Sequence, residues 1–544
     1  MLDSYPTIND LRSGQRLRRT VVLIMAIVAV LLVVGSMTAM AILLPRADPT
    51  SVAMGAFIIV ICIAVPVVIC FRPRIGLYIL FVSALLFPST SVQGLPTMPT
   101  LFVPLWWNVS TIGSRYLGTY ALNGVSVSPA ELVMMLTFTV WLVRAIALRQ
   151  LTWKVGTFFW AIAAYMTMVA CGFINGMSHG GQLTMALYEI RGQFYFLLTY
   201  LMAVNIIDDR RQITTLLWLI VICNAIQSLG GALTFIVQHD HIAEDGFMPH
   251  DESLLLNLIF FVAILTAMLP HSKRLKWTAF AVAPIALVAI LGNQRRAGIA
   301  AFIIAFIPLL PILWTLLKEQ RKQITYVALV FGLVSAVYLP VAWSANGAWA
   351  LPARAIRSQF DPSARDASSN TYRSSEDFDL TVTRDVSPII GYGYGKPFLQ
   401  PVPLPAVTTD FVYFMAHDSI LWVWMRIGHI GFFLFWLMIA TFLIRGIEML
   451  KASITPEGRS LGMLAIMMVL MMLTFGRYDL ALVDGKILTI TAILLGVLAI
   501  LPSLEGHPRG GAPHDEQENA DGLDEAEDLH YDQIGQVRLG GIPF

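Results

Sequence analysis

Residues 298–317 read GIAAFIIAFIPLLPILWTLL, 20 consecutive positions without a charged side chain, with Arg295 and Arg296 before them and Lys318 after. Such a run, coiled as a helix, rises about 30 Å, the thickness of a bilayer's hydrocarbon core. In that medium a helix satisfies its own backbone hydrogen bonds, so the run reads as a transmembrane helix. The rest of the chain repeats the pattern. Of 544 residues, 57% are hydrophobic and 13% charged, with a mean hydropathy of +0.70. A soluble protein carries roughly twice that charge. The short alternating segments of a membrane β-barrel are not seen. The expected fold is all-α, a polytopic transmembrane bundle of about fourteen spans with one large external loop. The spans fall at roughly 21–44, 52–70, 75–88, 129–148, 157–175, 183–207, 213–236, 253–270, 277–292, 298–317, 324–343, 418–444, 460–477 and 486–503.

Every second connection is basic. One set holds Arg12, Arg16, Arg18 and Arg19; Arg72 and Arg74; Arg144, Arg149 and Lys154; Arg210 and Arg211; Lys273, Arg274 and Lys276; Lys318, Arg321 and Lys322; then Arg445, Lys451 and Arg459. The alternate connections 45–51, 89–128, 176–182 and 237–252 carry only Arg46 and Arg115. Basic loops stay in the cytoplasm, so both termini are expected there and the sparse loops outside. The chain then divides into a cytoplasmic N-terminus (1–20), a first membrane part of about eleven helices (21–343), a large external loop (344–416), a second membrane part of about three helices (417–503) and an acidic, disordered cytoplasmic tail (504–544). Within the large loop Tyr372, Phe378, Ile389, Ile390 and Tyr392 argue for some order. The first apolar run is too long for a signal-peptide core and is read as a retained helix.

Cys62, Cys70, Cys171 and Cys223 all lie in apolar runs without CxxC spacing or a histidine neighbour, which suits packing thiols. No HExxH, P-loop or acidic metal cluster is present, and no metal, cofactor or nucleic-acid partner is expected.

The chemistry-bearing residues gather on the expected outer side, where arginine is normally scarce. Arg191, in YEIRGQFYFLLTY, sits inside an apolar run, a costly position that marks either function or a partner. Glu189 is the nearest carboxylate, but residues two apart do not face each other on a helix. Arg295 and Arg296, in LGNQRRAGIAAF, occupy a tight turn; guanidinium forks suit phosphate, and the alternative is snorkelling to lipid headgroups. His417 opens the twelfth span as either a general base or a structural residue beside the N-cap candidates Asp418 and Ser419. Arg477 closes the thirteenth span as an anion ligand, a carboxylate partner or a helix anchor. Gly391, Gly393 and Gly395 in PIIGYGYGKPF lack the strand and spacing of a dinucleotide loop and suggest a bend that lets backbone approach closely.

The run AHDSILWVWMRIGHIGFFLFW, with His417, Gly428 and Gly431, resembles the signature of the O-antigen ligase and polysaccharide polymerase family, with Asp418 where that family usually has Asn. LGNQRRAGIAAF, SSNTYRSSEDFDL followed by PIIGYGYG, and YEIRGQFYF resemble three further family segments, in the same order, over about 183–445. The resemblance implies a bacterial inner-membrane glycosyltransferase of the GT-C type. It would take a glycan from a polyprenyl diphosphate such as undecaprenyl diphosphate on the outer face and pass it to a glycan or lipid acceptor hydroxyl, with no metal. On that reading Arg191, Arg295 and Arg296 hold the diphosphate, His417 takes the acceptor proton with Arg296 beside it, Arg373 orders the loop, and Arg477 is a further substrate ligand. The alternatives are a secondary transporter or flippase for an anionic or lipid-linked substrate, and a non-enzymatic partner in an envelope-polysaccharide assembly.

Overall fold

The computed structural model describes residues 64–87, 106, 108, 127–148, 153–238, 247–345, 347–358, 360–404 and 413–506. Among these, all regular structure is helical. In chain order the α-helices are α1 (Pro73–Leu86), α2 (Pro129–Ala147), α3 (Phe159–Ser178), α4 (Leu183–Ile206), α5 (Arg210–Gln238), α6 (His250–Leu255), α7 (Leu258–Met268), α8 (Lys273–Asn293), α9 (Arg296–Leu316), α10 (Arg321–Ala342), α11 (Leu351–Arg357), α12 (Ala364–Val386), α13 (Ser419–Ala452), α14 (Pro456–Gly476) and α15 (Gly485–Leu504).

Ten helical segments among the described residues are long and apolar enough to cross a membrane, which makes this a multi-pass membrane protein. They coincide with ten of the fourteen expected spans. The span at 21–44 and most of that at 52–70 lie outside the described residues, as do the N-terminal segment, Cys62 and residues 507–544 of the expected tail. The other two are present as helices that fall short. α1 has only 14 residues, and α4 reaches 24 but is interrupted by Glu189 and Arg191. α6 and α7 form one apolar segment with a turn at Leu256–Asn257, where the Asn257 side chain donates to Ser253 O (3.2 Å) and Gly298 O (2.8 Å).

α15 is apolar on every face, the pattern of a helix surrounded by protein. It lies at the centre of the bundle, with 89% of its apolar window buried, against 6% for the segment containing α10 at the periphery. Gly496 lets α15 approach α4: a Cβ there would lie 2.6 Å from Ala203 Cβ. The three described cysteines are free thiols, two of them buried.

The expected external loop holds substantial structure. α11 and the 23-residue α12 lie within it, followed by the glycine bend. At Gly391, Gly393 and Gly395 φ is +88°, +88° and +79°, a conformation open to glycine. The bend inserts into α13, which breaks at Gly428 (φ 67°, ψ −172°). The N–H of Tyr392 donates to Met425 O (2.8 Å) and that of Gly393 to Arg426 O (3.1 Å), while the N–H of His429 donates to Pro388 O (2.7 Å). Main-chain groups freed by the break thus find partners in the bend, as an apolar environment demands. A buried arginine fixes the joint. Arg426 donates to Gly393 O and Lys396 O (both 2.8 Å) and to Phe414 O (2.7 Å), and it pairs with Glu189 of α4. Glu189 also accepts from the Gly395 N–H.

Candidate functional site

One end of the bundle gathers the start of α6, the α8–α9 turn, α11, the first half of α12 and the end of α14 around a cavity of about 690 Å³. The basic stretches Lys273–Lys276, Lys318–Lys322 and Arg459 lie at the opposite ends of these helices. Into the cavity project Arg295 and Arg296 from the turn, Arg354 from α11, Arg373 from α12 and Arg477 from the end of α14. Five guanidinium groups from four separate elements converge, although local spacing links only the first two.

Local conformation explains the turn. Gln294 adopts a left-handed backbone (φ 55°), uncommon for a residue other than glycine, and the chain reverses into α9 with Arg295 as its extended N-cap residue. The N-terminus of α9 therefore faces the cavity, where its dipole favours an anion. Arg477 follows the last residue of α14 and bridges two carboxylates, Asp418 (2.7 Å) and Asp377 (2.9 Å). These partners and burial act on it in opposite senses: burial pulls its pKa down, and the two aspartates raise it by more. Asp418 caps α13, accepting from the N–H groups of Ile420 (3.1 Å) and Leu421 (3.0 Å). Burial pushes its carboxyl up to about 6 despite the cap bonds and Arg477. Burial also raises Asp377.

Two histidines stand beside the cavity, each oriented by a carboxylate. His417 Nδ1 lies 3.1 Å from Glu376, and the His417 N–H donates to the same oxygen (2.9 Å). Glu376 is fully buried on the side of α12 turned from solvent, and the Tyr372 ring meets the imidazole edge-on at 5.6 Å. Burial lowers the His417 pKa, but the hydrogen bond and charge of Glu376, with help from Asp479, raise it by more. His250, at the start of α6, pairs through Nδ1 with Asp479. Burial alone would raise the Asp479 carboxyl; the His250 hydrogen bond and charge, the Leu480 N–H and the charge of His417 hold it below its ordinary value.

The expected residues separate into two groups. Arg295, Arg296, Arg373 and Arg477 line the cavity. His417 is not itself a lining residue but stands near the cavity, within electrostatic reach of Arg373 and Asp479. Arg191 is not a lining residue either. It makes a two-pronged pair with Glu131 of α2 (2.7 and 2.6 Å), donates to Asn108 (3.2 Å) and lies over the Tyr188 ring at 5.3 Å. Glu189, its neighbour in sequence, turns instead to Arg426. Sequence reasoning passed over His250, Arg354, Glu376, Asp479 and Gln294. His250 carried a usable signal, an imidazole heading HDESLL at the mouth of an apolar helix, the same arrangement as His417. Glu376 and Asp479 carried none, because their roles arise only from packing.

Chemically, the cavity offers converging, fork-shaped donors for a multiply charged anion and one lining histidine, His250, with His417 nearby, each held through Nδ1 by a carboxylate. Among the described residues no group of His, Cys, Asp and Glu is arranged to hold a metal ion. No protein-family model matches this chain, and no curated protein matches it.

Proposed function

We propose that the protein is a membrane glycosyltransferase that transfers or polymerises a polyprenyl-diphosphate-linked glycan onto an acceptor hydroxyl in envelope or exopolysaccharide synthesis. The observation that carries this reading is the convergence of Arg295, Arg296, Arg354, Arg373 and Arg477 on one cavity beside the His417–Glu376 pair. The leaving group of such a donor is a diphosphate, and its developing charge is what fixed guanidinium groups stabilise. Glu376 holds His417 with Nδ1 occupied, so Nε2 takes the acceptor proton. With the basic connections in the cytoplasm, the cavity faces the periplasm or exterior. The fold would then be GT-C-like, in the inner membrane of a bacterium, with undecaprenyl diphosphate as the carrier. Arg191 on this reading supports α4 against α2 rather than touching substrate.

The test is transfer by purified protein in proteoliposomes supplied with a polyprenyl-diphosphate oligosaccharide and a hydroxyl acceptor, with products resolved by mass spectrometry. Wild type forms the glycosidic product and His417→Ala does not. Equal transfer by both removes the mechanism.

A second reading, transport or flipping of an anionic or lipid-linked substrate, is favoured by one feature. At the cavity end of the bundle the buried Lys486 lies 2.5 Å from Asp251 and 4.0 Å from Glu252, and buried ionisable groups in a membrane protein commonly mark pathways. Vesicles that translocate labelled donor without forming any glycosidic product would select it.

A further inference from the structure

We infer that His250 is a second catalytic group, one that donates a hydrogen bond from Nε2 to the departing phosphate oxygen while His417 serves the acceptor. The inference rests on the glycosyltransferase reading and adds to it a division of labour between two imidazoles.

The geometry is specific. His250 lines the cavity together with Arg295, Arg296 and Arg477, on the diphosphate side, where His417 is not a lining residue. Its Nδ1 is taken by Asp479, which leaves Nε2 as the ring nitrogen available to a ligand. The carboxylate that orients it is itself fixed. The Asp479 N–H donates to Phe475 O (2.8 Å), its Oδ1 accepts from the Leu480 N–H (2.8 Å), and its carbonyl accepts from Ser419 Oγ (3.1 Å). The His250 carbonyl is likewise held by Ser253 Oγ (2.7 Å). The ring nevertheless keeps 43% of its side-chain surface open, more than a residue serving only to tie two helices needs. In the proposed step both ring nitrogens carry a proton, Nδ1–H directed to Asp479 and Nε2–H to the departing oxygen.

The step balances without a co-reactant. The bond from the anomeric carbon to the donor's phosphate oxygen breaks, and its electron pair leaves on that oxygen. The acceptor oxygen forms the new bond to the anomeric carbon, and its proton passes to His417. The Nε2 proton of His250 is shared with the departing oxygen and remains on the ring. An interaction that strengthens as charge develops lowers the barrier more than it tightens ground-state binding.

The experiment compares wild type, His250→Ala, His250→Gln and His417→Ala in the same proteoliposome transfer assay, each with a melting curve. His250→Ala is expected to lose about 100-fold in kcat, as on removal of one charge-stabilising donor, with the donor KM changed by less than about threefold. Added imidazole, which the cavity can admit, restores part of the rate. His250→Gln, with an amide N–H near the place of Nε2, falls between. Wild-type kcat in His250→Ala alongside an inactive His417→Ala overturns the inference and leaves the function standing. A lowered melting temperature with a loss that neither imidazole nor Gln recovers also overturns it, marking a structural tie. A wild-type protein that transfers nothing overturns the proposed function, and this inference with it.

Discussion

Replacing Arg426 by Met is the most demanding test of the architecture. The guanidinium and the Glu189 carboxylate are both wholly buried, and the arginine donates to three main-chain carbonyls as well. Methionine matches the stem in length but leaves Glu189 with the Gly395 N–H and no counter-charge. Breaking a buried pair from one side costs about 3–5 kcal/mol. The Gly393 and Lys396 carbonyls lose their shared donor, at about 1–3 kcal/mol each where no water replaces it. Phe414 O is spared, since Trp422 Nε1 also donates to it (2.8 Å). These costs overlap, and protonation of Glu189 caps the first, so we take about 4 kcal/mol as the net loss. At about 2 °C per kcal/mol for a large chain, the melting temperature falls by about 8 °C. Thermal unfolding in detergent, followed by tryptophan fluorescence, reads it. The double variant Glu189→Leu, Arg426→Met removes the stranded charge but not the stranded carbonyls, so it recovers part of the loss and melts above Arg426→Met. An Arg426→Met protein melting within about 2 °C of wild type, or a double variant melting below both singles, would refute the reasoning.

Glu376→Gln removes the charge that raises the His417 pKa and leaves burial, which lowers it, so the acid limb of the transfer rate moves to lower pH; a pH–rate profile unmoved by the change denies Glu376 that role. On the proposed function, Arg295→Gln combined with Arg296→Gln removes charge-assisted bonds to the diphosphate and is expected to weaken donor binding by about 10- to 100-fold, measured as donor Kd. Gly428→Ala puts a side chain where φ is 67° and a Cβ would lie 2.4 Å from Gly391 N; a destabilisation of about 1–3 kcal/mol or more is expected in the same melting assay. Asp418 carries a carboxyl raised to about 6, so its folded form favours the proton; Asp418→Asn is expected to flatten the part of the stability profile between about pH 4 and 6, where the wild type loses stability as pH rises.

Helix positions were legible because the bilayer imposes a length, and that length is written as uninterrupted apolar runs. The run at 298–317 became Arg296–Leu316, and that at 486–503 became Gly485–Leu504. What hydropathy misses is a helix whose buried face is polar. α12 turns Glu376, Asp379 and Thr383 inward, so the stretch reads as loop although Tyr372 and Phe378 hinted at order. Charge pairing was equally hidden. Arg191 finds Glu131 and Glu189 finds Arg426, partners 60 and 237 positions apart. The argument that drew attention to Arg191, a charge inside an apolar run, applies with equal force to Arg426 and Lys486. Those two are the more deeply buried, which shows that cost alone does not separate a ligand site from a structural pair.

The seam between the glycine bend and α13 bears on how the protein is made. As a continuous rod the 34 residues of α13 would measure about 50 Å, far more than the roughly 30 Å hydrocarbon slab. The bend emerges from the ribosome before that helix exists, yet it is the partner the helix needs to break at Gly428. On the proposed orientation biogenesis then has an enforced order: the segment carrying the bend is exported first, waits, and is recaptured as the twelfth expected span arrives. A chain stalled between those events presents an over-long helix and a strip of unsatisfied amides, the kind of intermediate on which membrane chaperones and quality-control proteases act.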